Sequence, residues 1–189
     1  MKIGIAGLGL IGGSLARALS ESGNHEVFGL DRNRSSLLAA KMVEAISEEL
    51  TEENISECDM ILIALYPQAT VDFVEKYADK FKKGAIVADC GGVKRPICAP
   101  CEKLAEKNGF IFIGAHPMAG TQFSGFKYSR ANLFQGQPMV LVPPVFDDIH
   151  TGFLRLFIFP TLYFNRGQVS ISRLQFQKKD DSIVYMNPE

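Results

Sequence analysis

Two clusters of residues in this chain have the types and spacing to do chemistry together. The first is Gly7-Leu8-Gly9-Leu10-Ile11-Gly12, and the second, far downstream, is His116-Pro117-Met118-Ala119-Gly120-Thr121. In the first, Gly7 permits a tight turn, Gly9 lets backbone approach a pyrophosphate, and Gly12 lets a helix pack closely on a strand. The same helix start, with Leu10 and Ile11 in its first turn, offers unpaired N–H groups and a positive dipole end to phosphates. Asp31 follows nineteen residues after Gly12. A carboxylate there accepts both hydroxyls of an adenosine ribose and disfavours a ribose phosphate, so NAD is the expected cofactor rather than NADP. Arg32 beside it either stacks on adenine or meets a phosphate, which pulls against that preference. In the second cluster, a neutral His116 can take a proton from a substrate hydroxyl as hydride leaves the attached carbon. A histidine simply hydrogen-bonded within its loop is the competing reading.

The elements that must position these clusters are visible as periodicity. Lys2 to Ala6 reads as an apolar strand and Ile11 to Ser22 as a helix ending near Gly23. Glu26 to Leu30 is the second strand, Arg34 to Val43 a helix, and Met60 to Leu65 a buried strand. Pro67 suits the first turn of a helix running to about Phe81, and Gly84 to Ala88 is the next strand. Lys94 to Lys107 is helical in spite of Pro96 and Pro100, and Phe110 to Gly114 is all apolar. Pro138 to Val142 adds a strand, Asp147 to Leu156 a helix, and Pro160 to Phe164 a last strand. This alternation predicts an α/β fold, a Rossmann-type three-layer sandwich with a mostly parallel sheet. Residues 1–165 are expected to form the NAD-binding domain and residues 166–189 an atypical C-terminal extension or the remnant of a linker to an absent helical dimerisation domain.

Ligands of such sheets lie at the carboxyl edge of the strands, which singles out three loops. Leu65, Tyr66 and Pro67 with Thr70 form one; Tyr66 or Thr70 lines the cofactor channel, or serves as packing or a cap. Asp89-Cys90-Gly91-Gly92-Val93-Lys94 forms the second. Asp89 and Gly91 are assigned to the cofactor there, and Gly92 and Lys94 to the substrate, where the lysine can meet a carboxylate; a solvated Lys94 at the start of a helix is the bland alternative. The third follows His116, with Thr121, Gln122 and Ser124 placed to cover or shape the site. His25 and His150 have weaker claims, one at the opposite edge and one in the late helix.

Composition narrows the function classes. Twenty basic residues against 21 acidic ones give a net charge of -1, with no field to steer toward nucleic acid or an anionic bilayer. No run reaches the roughly 18 apolar residues of a spanning helix, and the apolar start lacks a cleavage pattern, so a cytoplasmic protein is expected. Cys58, Cys90, Cys98 and Cys101 suit a reducing compartment. Cys98 and Cys101 have the spacing of a redox pair or half a zinc site, but nothing completes it, so no metal is expected.

Gly7 to Ser14, Asp31-Arg32-Asn33, Asp89 to Lys94, His116 to Gly120, Ser124-Gly125 and Leu133-Phe134 together resemble the prephenate and arogenate dehydrogenases of tyrosine biosynthesis. The resemblance covers most of the chain to about Pro144. It implies an NAD-binding domain joined to an all-helical domain that dimerises and completes the substrate pocket. It also implies that His116 accepts the proton of the ring hydroxyl, while hydride transfer and loss of CO2 give 4-hydroxyphenylpyruvate from prephenate or tyrosine from arogenate. Two positions depart from the pattern: Gly92 stands where the family often has a serine, and Gln122 where it often has an acidic residue. From Phe157 to Glu189 the resemblance fades, and the helices with the substrate-binding arginine and dimer core are expected to be missing. A catalytically silent NAD-binding or interaction protein is therefore carried as the alternative of a different class.

Overall fold

Strands buried on both faces must be apolar throughout, and the computed structural model of this chain assembles such runs into one sheet between two layers of helix. The structure describes residues 1–142, 178–179 and 183–186. In chain order the elements are β1 (Lys2–Ala6), α1 (Leu10–Glu21), β2 (Glu26–Leu30), α2 (Arg34–Met42) and β3 (Glu48–Glu49). After a 3-10 turn at Ile55–Glu57 come β4 (Met60–Ile63), α3 (Pro67–Tyr77), β5 (Ile86–Asp89), α4 (Arg95–Asn108) and β6 (Ile111–Pro117). A second 3-10 turn at Phe126–Tyr128 leads to β7 (Met139–Val142), and β8 (Lys178–Lys179) and β9 (Ile183–Met186) complete the sheet.

The strand order is β3-β2-β1-β4-β5-β6-β7-β9-β8. From β3 to β6 all neighbours are parallel, whereas β7, β9 and β8 join antiparallel. The chain builds outward from β1 on one side through β2 and β3, then crosses to the other side at β4. That reversal opens a crevice at the carboxyl ends of β1 and β4, the place where such sheets take ligands. Alternation along each strand divides the core. Ile3, Ile5, Met60, Leu62 and Ile86 meet Leu15, Leu19 and Leu37 of α1 and α2. Ile61, Ile63, Val87 and Phe112 belong with Val74 and Phe81, and with Ile97 and Cys101 of α4, where Phe81 also meets Phe110 edge-on at 5.0 Å.

The architecture is the expected Rossmann-type sandwich, with several boundaries moved. α3 stops at Tyr77, short of Phe81, and β4 stops at Ile63, which leaves Leu65 in the edge turn. α4 carries Pro96 in its first turn and continues through Pro100 to a left-handed Gly109 (φ 78°). Proline removes one N–H and crowds one carbonyl, and the burial of Ile97, Cys101 and Ala105 holds the helix in spite of that. β6 runs on to Pro117, so His116 lies within a strand rather than after it. The two-residue β3 carries too little periodicity to be read from sequence. The helix expected over Asp147 to Leu156 and the strand over Pro160 to Phe164 lie outside the described residues. No helix among the described residues is long and apolar enough to cross a membrane.

The tightest constraint is the join of β1 to α1. A Cβ on Gly12 would lie 1.8 Å from the Gly7 carbonyl oxygen, and Gly7 itself has φ +90°. The Gly7 carbonyl is backbone, not a flexible side-chain tip that can give way. Gly12→Ala is therefore expected to destabilise the protein by about 3 kcal/mol or more, at or beyond the upper end for overpacking, as measured by urea unfolding.

Candidate active site at the carboxyl edge of the sheet

The glycine turn caps the end of β1. Gly7 donates its N–H to Leu30 O at 2.7 Å, which ties the turn to the end of β2. Gly9 is the N-cap of α1 and supplies no side-chain acceptor, so no capping side chain takes up the first N–H groups of the helix. An added Cβ on Gly9 meets nothing within 4 Å, so the turn leaves open space on that face. Tight interior, open exterior and free helix donors together form a cradle that fits a dinucleotide pyrophosphate. Asp31 stands at the end of β2, where Oδ2 accepts Leu8 N–H and Oδ1 accepts Asn33 N–H, each at 2.7 Å. Each carboxylate oxygen has a second lone pair, so Asp31 fastens the turn and retains acceptor capacity for ribose hydroxyls. Arg32 is exposed beside it, and the next arginine, Arg34, is spent on Glu49 at 2.8 Å.

The β4 loop divides the roles assigned to it. Pro67 opens α3 as expected, and Tyr66 is 81% exposed at the edge. Thr70 is buried, and its hydroxyl donates to Tyr66 O at 3.2 Å, which makes it packing and local bonding rather than channel lining. Leu65 lies against the turn, its Cδ2 2.9 Å from a Cβ built on Gly7.

The β5 and β6 ends meet around His116. Gly92 lies directly beside the imidazole, since a Cβ there would be 3.4 Å from Nε2 and 3.5 Å from Cε1. Asp89 is wholly buried; its Oδ2 accepts Gly91 N–H at 3.1 Å and ion-pairs with Lys94. Lys94 also donates to Ala115 O at 2.6 Å. The carboxylate this lysine meets is thus the chain's own, and it is not a solvated surface residue. Burial pushes the Asp89 carboxyl up, against the opposing pull of the Lys94 ammonium. Burial also lowers His116 below the usual imidazole value, with Lys94 lowering it further and Asp89 opposing. The group is therefore neutral at pH 7 and free to accept a proton.

The loop after His116 is exposed at Thr121, Gln122 and Ser124, with Thr121 Oγ1 accepting Phe123 N–H at 3.2 Å. Beyond it lies a set of contacts that the sequence did not reveal. Arg17 of α1 donates to Ser129 Oγ at 2.9 Å and lies 4.9 Å from the Phe126 ring centre. Ser14 Oγ accepts Arg130 N–H at 2.9 Å, and Gly13 leaves the room that Phe126 fills. No motif marks these pairs, because they join residues over a hundred positions apart.

Other candidates lie elsewhere. His25 sits between α1 and β2 at the opposite edge, its Nδ1 unpartnered, and His150 is outside the described residues. An open hollow of about 480 Å³ at that opposite edge is lined by Met1, Lys2, Glu26, Glu57, Asp59 and Lys82, whose charges pair with one another. The four cysteines are free, and burial pushes Cys58, Cys90 and Cys101 up to about 12 and Cys98 up to about 11. Thiols held protonated are poor nucleophiles and ligands, and no metal-ligating cluster occurs among the described residues.

With this geometry, residues 15–150 match the family described as the nucleotide-binding domain of prephenate dehydrogenase. The chain belongs to that family. A prephenate dehydrogenase of Lactococcus lactis is 32% identical over 142 residues, which are 74% of this chain and 40% of that protein. Among solved structures, an arogenate dehydrogenase of Synechocystis superposes with a TM-score of 0.76 at 32% identity, covering 87% of this chain and 58% of that one. Prephenate dehydrogenase of Aquifex aeolicus, solved with hydroxyphenyl propionate and NAD+, gives a TM-score of 0.75 at 27% identity, covering 86% and 57%. The chain thus spans well under two thirds of the length of these relatives.

The depressed imidazole has a measurable sign. Between its folded midpoint and the ordinary value of about 6.5, the unfolded chain binds more protons at His116 than the folded one, so stability rises with pH through that window. That contribution is full above about 6.5 and lost as pH falls through the folded midpoint. NMR titration of the His116 Cε1–H is expected to give a midpoint below 6.5; one at or above it removes the basis for a neutral acceptor.

Proposed function

We propose that this chain is the NAD-binding, proton-accepting part of a prephenate dehydrogenase, catalysing oxidative decarboxylation to 4-hydroxyphenylpyruvate. The observation that carries this reading is a half-buried, neutral His116 beside Gly92, on the same sheet edge as the open glycine cradle. In it, the first-turn N–H groups of α1 and the backbone around Gly9 hold the pyrophosphate, and Asp31 accepts from the adenosine ribose and so favours NAD. NAD, when bound, supplies the hydride acceptor. His116 takes the proton of the ring hydroxyl as the carbon bearing it loses hydride; departure of the ring carboxylate as CO2 leaves its electron pair to make the ring aromatic, and the ring oxygen takes the proton back. Tyr66, Gly92, Gln122 and Ser124 stand exposed at this edge and are placed to shape the substrate's surroundings. The wall that grips the substrate carboxylates, and the dimer contact, are assigned to further polypeptide, in keeping with the 40% of the Lactococcus relative that this chain spans. Four free cysteines are in keeping with a reducing cytoplasm.

Arogenate is the second substrate considered, because the Synechocystis enzyme is as similar as the prephenate relatives. The deciding assay is NADH formation by the purified chain with NAD and either prephenate or arogenate. Turnover with one substrate names it; NAD binding without turnover of either assigns this chain a nucleotide-binding role alone. Where turnover occurs, His116→Asn is expected to lower it by about 10²–10⁴-fold while NADH affinity stays nearly unchanged. An unchanged rate would falsify the proton-acceptor role.

Gly9→Ala separates the cradle from the fold. With nothing near its new methyl group, the variant is expected to lose no more than about 1 kcal/mol of stability, the scale of an N-cap change. Its NADH affinity, read by calorimetric titration, should fall about tenfold or more, or about 1.4 kcal/mol. Normal affinity would place the pyrophosphate elsewhere.

A further inference from the structure

His116 projects from a strand end that has outrun its neighbour. β5 and β6 pair in parallel as far as Asp89 and Gly114, and β6 then continues through Ala115, His116 and Pro117. A carbonyl left without a partner at such an end is costly. Lys94 supplies the missing donor: from the N-cap of α4, its ammonium reaches Ala115 O at 2.6 Å and is held there by the Asp89 carboxylate. Asp89 is fully buried and the Lys94 side chain only 18% exposed, so the pair acts across little water. The same Asp89 oxygen accepts the Gly91 N–H, and at the next residue, Gly92, a Cβ would lie 3.4 Å from the imidazole Nε2. A single buried pair thus joins the end of β5, the glycine turn, the start of α4 and the residue preceding His116.

We propose that Lys94 and Asp89 are positioning residues for His116, the pair fixing the strand end that carries the imidazole and setting the charge it faces, rather than anchoring a substrate carboxylate. This rests on the reading of His116 as the proton acceptor. Lys94 and Asp89 are the charged groups acting on His116. β7 places Val140 opposite it, and the chain from Pro117 to Gly125 carries no ionisable side chain. The two partners act with opposite signs. The ammonium opposes a second positive charge on the imidazole, and the carboxylate favours one.

The test is the His116 Cε1–H titration in the 189-residue chain, with the resonance assigned through His116→Asn and NADH binding as the control for folding. Lys94→Met is expected to move the midpoint upward and Asp89→Asn to move it downward. A role confined to holding the turn together would instead admit water in both variants and move both upward, since burial is the largest cause of the depression. Same-direction movement, or none, overturns the proposal. Each single variant leaves one buried charge uncompensated and can fail to fold. The Asp89→Asn/Lys94→Met double variant leaves none; its midpoint is expected to rise, by less than in Lys94→Met, and an unchanged or lowered midpoint overturns the proposal equally. This readout needs no turnover. If His116→Asn keeps its rate with prephenate while the opposite displacements stand, the catalytic reading fails and the positioning pair survives.

Discussion

Helix α1 lies so close to the end of β1 that the Gly7 carbonyl oxygen occupies the place a Gly12 side chain would need. Much of the remaining structure depends on that approach. It brings the start of α1 to the edge where β1 and β4 part, with its first donors left without a capping side chain. It requires a left-handed Gly7 and an outside fastening, which the two oxygens of Asp31 provide from the end of β2. The energetic reason is simple: helix packing on a buried sheet gains apolar contact only at close range, and a residue without a side chain at the crossing permits that range.

Burial is the second organising influence, and it acts against charge. It raises Asp89 and the four thiols and lowers His116. At Asp89 this pressure is opposed by Lys94, each charge compensating the other, and the lysine also satisfies a strand carbonyl. The compensated pair lies beneath an edge whose outer residues, Tyr66, Gly92, Gln122 and Ser124, are exposed.

Legibility in the sequence followed the range of the interaction. Strands such as Lys2–Ala6 and Glu26–Leu30 are read directly, because a strand buried on both faces must be apolar residue after residue. The tight glycine turn was legible because a close strand-to-helix crossing needs residues without side chains at fixed local spacing. The position of His116 inside β6 was not, since the apolar run breaks at the histidine while the pairing with β7 continues to Pro117. Thr70 and Lys94 both have side chains consistent with ligand contact, and only three-dimensional placement shows that their polar atoms are engaged within the chain. The attachment of the 126–130 segment to α1 left no trace at all, for it consists of an arginine on a ring, a small gap and two hydroxyls, none of which forms a pattern by itself.

That attachment separates the electrostatics of the edge from the anchorage of the neighbouring segment. The 126–130 segment is seated by Arg17, Ser129, Ser14 and the Phe126 ring, with neither a histidine nor a carboxylate among these partners. Acidity therefore reaches the imidazole while leaving the loop's mooring untouched, so the site can be switched electrically without being dismantled mechanically.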